Sequence, residues 1–344
     1  MVLQETMDAT TTTHGGIRGL LDELDRLQAA GEAAVLGIVV ATEGSTYRKP
    51  GALVLLDRAG LRHGVISGGC LEPELERRAQ AVFAAGSAAL VDFDTRSDED
   101  LVFGSGTGCR GRVHLLLLPL PSGAPLPQAF RQAIAAGATI ELALTLAGAN
   151  PGSGSATVDG APRSTWFWDV HGAALTERTG AADLHLRIAP PPRVLLLGAG
   201  PETPPLLESM QRFGWFSTVV EHRARWSAFA RAARSDRHID AAPAAAAALL
   251  GGAANDAAIV MSHNFVLDAQ HLRWCANGDI GYVGLLGPPA RRDALLAELG
   301  SDAQRLRPRL HAPVGLDLGG SGPEAIALAI MAELQRHFAQ RGDG

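Results

Sequence analysis

Apolar residues near the start of the chain follow first a helical and then a strand-like spacing. Leu20, Leu24 and Leu27 recur every three to four residues, which predicts an amphipathic helix over residues 17–29. A second helical pattern covers Leu71–Phe83. Short apolar runs that are typical of strands lie at Ala34–Ala41, Ala52–Asp57, Ala89–Phe93 and Val113–Leu118. We therefore predict an N-terminal α/β domain over residues 15–120.

The pattern changes twice further along the chain. A Pro-rich stretch at residues 119–127 marks the first change, and we interpret residues 121–190 as a connecting segment, in which residues 128–188 form a helix followed by irregular strands. After Pro190-Pro191-Pro192, helical patterns alternate with strand-like runs at Val194–Leu197, Thr218–Glu221, Ala257–Met261 and Tyr282–Leu286. This alternation predicts a Rossmann-like domain over residues 191–340, with a doubly wound parallel sheet. The predicted fold class is α/β in both domains.

Composition excludes several classes of protein. Of the 344 residues, 19% are charged and the net charge is −6, so we expect no nucleic-acid partner. No run approaches the ~20 apolar residues of a membrane span, and the first residues lack the apolar core of a secretory signal. The three cysteines form no CxxC pair, which argues against a disulfide framework and a standard zinc site. We expect a cytoplasmic protein.

A glycine cluster opens the predicted Rossmann-like domain. Gly198 and Gly200 directly follow a strand, where backbone N–H groups of a turn and a helix can bind a pyrophosphate. Glu221 follows 21 residues after Gly200, at the position of a ribose-binding acid. Thr203 replaces the third small residue of the dinucleotide pattern, and Pro201 removes one N–H donor. The cluster predicts a phosphate-bearing ligand, with a Rossmann-shaped scaffold that binds nothing as the alternative.

A second cluster combines glycines with a cysteine. Ser67, Gly68, Gly69 and Cys70 precede the predicted helix over Leu71–Phe83. A helix N-terminus stabilises a thiolate, which makes Cys70 a candidate metal ligand or sulfur carrier. The alternative is a buried cysteine beside a tight turn.

The third cluster is richer in glycine and carries positive charge. It consists of Gly104, Ser105, Gly106, Gly108, Cys109 and Arg110. Its N–H groups and the arginine suit an oxyanion or phosphate, and the arginine favours the Cys109 thiolate. The alternative is a mobile hairpin loop. Two glycine-rich loops that each contain a cysteine favour a functional interpretation.

These motifs together resemble those of the XdhC/CoxI family. The matching segments are Ala41–Gly51, Ile66–Glu74, Asp94–Val113, Leu195–Leu207, Met261–Phe265, Gly284–Pro288, His311–Leu318 and Gly322–Ala327. The resemblance implies an accessory protein that binds molybdenum cofactor (Moco, molybdopterin form), protects it during sulfuration and inserts it into a xanthine dehydrogenase or related molybdenum hydroxylase. It also implies that Cys70 and Cys109 contact the molybdenum or its sulfur, and that a cysteine desulfurase is a second partner. Assembly as a homodimer is left open.

The chemistry of Moco agrees with this resemblance. Thiolates suit its soft metal–dithiolene end, and glycine-rich loops with arginine suit oxo and phosphate groups. His263, at the end of the strand Ala257–Met261, is a further candidate for the cofactor site, or else a cap of the next helix. The rival hypothesis is an NAD(P)-dependent oxidoreductase that uses Gly198, Gly200 and Glu221. The missing third glycine argues against it.

Overall fold

The computed structural model describes residues 15–96, 110–160, 162–177, 181–250 and 255–342. The chain divides into two compact units, Met1–Pro190 and Pro191–Gly344, with the boundary in the proline triplet. Among the described residues no helix is both long and apolar enough to span a bilayer.

The first part of unit 1 is an antiparallel sheet with two helices. Its elements are α1 (Gly16–Ala29), β1 (Ala34–Gly44), β2 (Leu53–Asp57), β3 (Gly60–His63), α2 (Glu72–Ala85), β4 (Ala89–Asp94) and β5 (Gly111–Leu120). The strand order is β3-β2-β1-β5-β4. The apolar stripe of α1 is buried, as its spacing predicts, and includes Leu20, Leu24 and Leu27. Short β3 had no clear apolar pattern and was not predicted.

Residues 121–190, interpreted from the sequence as a connecting segment with a helix and irregular strands, contain a helix and a second sheet of unit 1. Its elements are α3 (Pro125–Ala136), β6 (Ile140–Leu144), β7 (Gly154–Val158), β8 (Ser164–Trp168), β9 (Ala174–Leu175) and β10 (Leu184–Ile188). The strand order is β10-β6-β7-β8-β9, and all pairs are antiparallel. Buried residues of this sheet, such as Leu142 and Trp168, share one core with α1 and β1. The segment is therefore an integral part of unit 1.

Unit 2 has a parallel sheet with the Rossmann strand order. Its elements are β11 (Arg193–Leu197), α4 (Thr203–Phe213), β12 (Phe216–Val220), α5 (Ala224–Ala232), β13 (Arg237–Ile239), α6 (Pro243–Leu250), β14 (Ala257–Val260), α7 (Phe265–Ala276), β15 (Tyr282–Leu285), α8 (Pro289–Leu299), α9 (Asp302–Leu306), a 3₁₀ helix (Arg307–Arg309), β16 (Leu310–His311) and α10 (Pro323–Gly342). The order β13-β12-β11-β14-β15-β16 confirms the predicted doubly wound sheet.

The central strands of this sheet are apolar on both faces. Leu195 and Leu197 of β11 pack into one core, and Val194 and Leu196 pack into the core on the opposite face. The chain direction around the sheet reverses between β11 and β14, which are neighbours. The loops after these two strands therefore lie side by side at the carboxyl edge, where doubly wound sheets bind ligands.

Candidate functional site

One cavity in unit 1 is lined by three segments that are far apart in the sequence. Its volume is about 280 Å³. The walls come from the loop after β1, the loop before α2, and the facing ends of β4 and β5. The lining residues include Ser45, Tyr47, Ser67, Cys70, Thr95 and Gly111. Parts of three motifs from the sequence analysis thus meet at one place.

Glycines at the ends of β1 and β5 allow these segments to approach each other. Gly44 has a φ of +67° and pairs with Gly111 across the two strands. A Cβ on Gly44 would lie 2.7 Å from the carbonyl oxygen of Arg110, and one on Gly111 would lie 2.7 Å from Cγ2 of Thr46. The Thr95 hydroxyl completes the junction, because it donates to the Gly111 carbonyl at 2.8 Å and accepts from the Gly111 N–H at 3.1 Å. These contacts fix the cavity wall opposite the cysteine loop.

The loop before α2 is closed by the side chains of Ser67 and Glu72. Glu72 Oε1 accepts hydrogen bonds from the N–H groups of Ile66 and Ser67 at 3.1 and 2.9 Å. The Ser67 hydroxyl donates to the other carboxylate oxygen of Glu72. Its oxygen also accepts from the N–H groups of Gly69 and Leu71, each at 3.1 Å. Ser67 therefore shapes the loop as well as lining the cavity.

The same loop presents polar groups that have no partner. Among the described residues, nothing accepts a hydrogen bond from the N–H of Gly68 or Cys70. Gly69, between them, has a φ of +110°, a conformation that favours glycine. The Cys70 thiol is free and exposed, and it lines the cavity just before α2 begins. The loop thus offers one thiol and two N–H donors at the start of a helix.

The third glycine cluster lies largely outside the described residues. Gly104, Ser105, Gly106, Gly108 and Cys109 belong to residues 97–109, and only Arg110, which is exposed, is described. Thr95 and Gly111, on either side of this segment, both line the cavity. Arg112 does not face it, since Val113 does and neighbouring strand residues point to opposite faces. Its guanidinium instead binds Asp92.

The predicted site residues of unit 2 come together at the carboxyl edge of its sheet. Gly198, with a φ of +92°, packs against the end of β14, and a Cβ there would lie 2.6 Å from the Ser262 nitrogen. Gly200 lies against His263, where a Cβ would be 2.6 Å from Nε2 of that ring. Both glycines therefore make room for the neighbouring loop of this chain.

Glu221 is buried and is bound by groups of its own chain. Its Oε2 accepts from the Ala199 N–H at 3.0 Å, and Arg223 forms an ion pair with it at 2.5 Å. Burial raises the pKa of Glu221, but the hydrogen bonds from Arg223 outweigh this and lower the pKa below its ordinary value. The carboxylate is thus ionised and saturated with donors, which leaves little capacity for a ribose hydroxyl.

His263 forms a pair with a second buried carboxylate. Its Nε2 lies 3.1 Å from Oε2 of Glu202, which is 5% exposed at the start of α4. Burial raises the pKa of Glu202, and the hydrogen bond from His263 lowers it to below the ordinary value. His263 itself has a φ of +55°, a strained conformation for a residue with a side chain.

This arrangement does not suit a dinucleotide. The N–H of Gly200 is taken by the Thr203 hydroxyl at 2.9 Å, that of Ala199 by Glu221, and Pro201 has none. An ionised Glu202 lies at the helix start, where a pyrophosphate would need positive potential. The backbone of the glycine cluster follows the Rossmann pattern, but its N–H groups at Ala199 and Gly200 already donate to side chains of this chain.

Comparisons with known proteins identify the family. The family model described as "XdhC and CoxI family" matches residues 27–94, and the one described as "XdhC Rossmann domain" matches residues 194–334. The chain belongs to the XdhC and CoxI family. The XdhC Rossmann match coincides with β11 to α10, and the XdhC and CoxI match covers α2 and the cysteine loop.

Two relatives cover nearly the whole XdhC-type chain. A protein from Bacillus subtilis (strain 168), named as a probable subunit of xanthine dehydrogenase, is 29% identical over 325 residues, which is 90% of this chain and 95% of that protein. The crystal structure of a xanthine dehydrogenase from Bacillus halodurans is 26% identical and has a TM-score of 0.75. That match covers 93% of this chain and 96% of the other. The likeness therefore spans both units.

Several residues of this XdhC-type chain gain roles that sequence reasoning did not assign. Glu72 closes the cysteine loop, Arg223 neutralises Glu221, and Glu202 supports His263. Asp268, fully buried, accepts from the Ser262 hydroxyl and from Arg291, which fixes the loop that carries His263. In the sequence these residues lie close to the motifs, but the sequence does not reveal which hydrogen-bond donors bind each carboxylate.

Proposed function

We propose that this chain is a Moco-binding accessory protein that protects Moco during sulfuration and inserts it into a xanthine-dehydrogenase-like molybdenum hydroxylase. The observation that carries this proposal is the exposed Cys70 thiol in a cavity built from three motifs of the family. The function is one of binding and delivery, and Moco is the cargo.

The residues at the cavity fit the chemistry of this cargo. A thiolate is a suitable ligand for a soft metal–dithiolene centre or its terminal sulfur. The unpartnered N–H groups of Gly68 and Cys70 suit oxo or phosphate oxygens. The volume of about 280 Å³ is near the lower limit of small-molecule sites, so the cavity would hold one end of the cofactor.

Cys109 is proposed as the second cysteine at this site. It lies two residues before Gly111, which lines the cavity. Arg110, next to it, is exposed and supplies positive charge for an anionic ligand.

The partners follow from the relatives and from the cargo. Because one relative is named as a subunit of xanthine dehydrogenase, we propose an enzyme of that class or a related molybdenum hydroxylase as the recipient. Sulfuration needs a sulfur donor, and a cysteine desulfurase is the proposed source. A homodimer and a cytoplasmic location remain part of the proposal.

An NAD(P)-dependent oxidoreductase is the weaker candidate. Glu221 and the glycine loop have the expected positions, but their hydrogen-bonding groups are occupied by Arg223, Ala199 and Thr203. The site of unit 2 therefore does not favour a nicotinamide dinucleotide.

Purification from a host that makes Moco tests the proposed function. We expect molybdenum and pterin to remain with the protein at up to one equivalent, measured by elemental analysis and by the fluorescence of the oxidised pterin. Protein from a host that cannot make the pterin is the control. Absence of both from the wild type, even after incubation with a Moco source, would contradict the proposal.

A further inference from the structure

Tyr47 is an exposed aromatic residue in the wall of the Cys70 cavity. The residue is 59% exposed although it lines the cavity. It makes no hydrogen bond or ring contact with any described residue. The other tyrosine, Tyr282, is fully buried and stacked on His311. An unpartnered ring at a cavity wall is well suited to stack on a flat ligand.

Gly68 is the second distinctive residue of the cavity wall. Its φ is negative and a Cβ there would have no atom within 4 Å, so neither conformation nor packing requires glycine. Gly44 and Gly111 differ in this respect, since a side chain on either would collide with backbone. No side chain of the described residues covers the backbone of Gly68, and the unpartnered N–H of this residue is accessible to a group that approaches closely.

The floor of the cavity is apolar. Ile66, Leu71 and Val113 line it and are each less than 5% exposed. The polar groups lie on the cysteine loop, at Ser67, Gly68 and Cys70. The cavity thus has an aromatic and apolar part and a separate part with the thiol and N–H donors.

We propose that Tyr47 is the stacking platform for the flat ring of the ligand, and that Gly68 lets the ligand's anionic or metal-bearing end approach the backbone beside Cys70. This inference rests on the proposed function, and it assigns the pterin to the Tyr47 side of the cavity. Tyr47 and Gly68 then set how the cargo is oriented before it is handed over.

Tyr47→Ala and Tyr47→Phe test the platform. We expect Tyr47→Ala to weaken binding of metal-free 6-hydroxymethylpterin roughly three- to tenfold, measured by quenching of its fluorescence, because the stacking surface is lost. Tyr47→Phe keeps the ring and should bind as the wild type does. Leu90→Ala, which removes an exposed apolar side chain of β4, is the matched control.

Gly68→Val tests the bare backbone. Open space around Gly68 should accommodate the side chain, so the thermal midpoint should stay unchanged, while molybdenum retained from a Moco-producing host should fall roughly tenfold through steric block. Retention at the wild-type level in Gly68→Val, or wild-type pterin binding in Tyr47→Ala, would overturn the assignment while the proposed function stands. A wild type that retains neither molybdenum nor pterin would instead overturn the proposed function.

Discussion

Two cysteines of this protein, Cys70 and Cys275, differ in how strongly their thiols are buried. Cys275, on α7, is completely buried in the core, and burial raises the pKa of its thiol to about 12. Cys70 is exposed at the cavity. Because only the thiolate is a good metal ligand or nucleophile, burial makes Cys275 unsuited to such chemistry, and the proposed ligand is Cys70.

His271 on α7 is a buried group whose ionisation should limit stability in mild acid. It is 4% exposed, and burial lowers its pKa from 6.5 to about 4. Between these values the unfolded chain binds a proton that the folded chain does not, so stability falls as the pH decreases from 6.5 toward 4. We expect a loss on the order of 3 kcal/mol from this group over that window, and none above it.

Denaturant unfolding between pH 4.5 and 7 measures this effect. His271→Gln should show a shallower dependence of unfolding free energy on pH than the wild type. The lower pH limit of 4.5 excludes most of what Glu202 and Glu221 contribute to the pH dependence of the unfolding free energy, because the pKa values of both are lowered. His185→Gln, at an exposed strand position, is the matched control. Equal slopes in wild type and His271→Gln would contradict the account.

At the scale of elements, the two glycines after β11 should tolerate substitution unequally. Gly198→Ala places a Cβ against the Ser262 backbone and requires a φ of +92°, so we expect a loss of roughly 3 kcal/mol or more. At Gly200 the nearest atoms belong to the side chains of His263 and Glu202, which can move apart. Gly200→Ala should therefore cost about 1–2 kcal/mol.

Thermal unfolding of the two variants beside Gly278→Ala tests this ranking. Gly278 has no neighbour closer than 3.7 Å to an added Cβ and no positive φ, so its alanine variant should remain within about 0.5 kcal/mol of the wild type. If Gly198→Ala were as stable as Gly278→Ala, this result would contradict the close contact between Gly198 and the backbone of Ser262.

Elements with a clear apolar period were predictable from sequence, and contacts between loops were not. The strands of unit 2 are buried on both faces, so their apolar runs, such as Val194–Leu197, stand out. In residues 121–190 the sequence indicated only a helix and irregular strands, because strands such as β8 are mostly only partly buried and lack a continuous apolar run. Gly200 was expected to admit a phosphate, whereas its position is filled by His263, a contact between residues 63 apart in sequence.

At the scale of the whole molecule, the two units have different sites. Unit 1 carries a cavity with a free thiol and unpartnered donors at Cys70. Unit 2 has the Rossmann strand order, yet Glu221 and Thr203 already accept the hydrogen bonds from the Ala199 and Gly200 N–H groups of its glycine loop. Models of the XdhC family match part of unit 1 and most of unit 2. The proposed cargo site is therefore the cavity of unit 1.

Molybdenum retained per folded protein in Cys70→Ser and Cys275→Ser tests this assignment most directly. Both variants and the wild type are purified from a host that makes Moco, and metal and pterin are measured in each. The account predicts that Cys70→Ser loses most of the bound molybdenum with its thermal midpoint unchanged, because an exposed thiol contributes little to packing. Cys275→Ser should keep its molybdenum and lose about 1–3 kcal/mol of stability, because a hydroxyl is buried in an apolar core. Equal retention in Cys70→Ser and the wild type would contradict the central claim that the Cys70 cavity holds the cofactor.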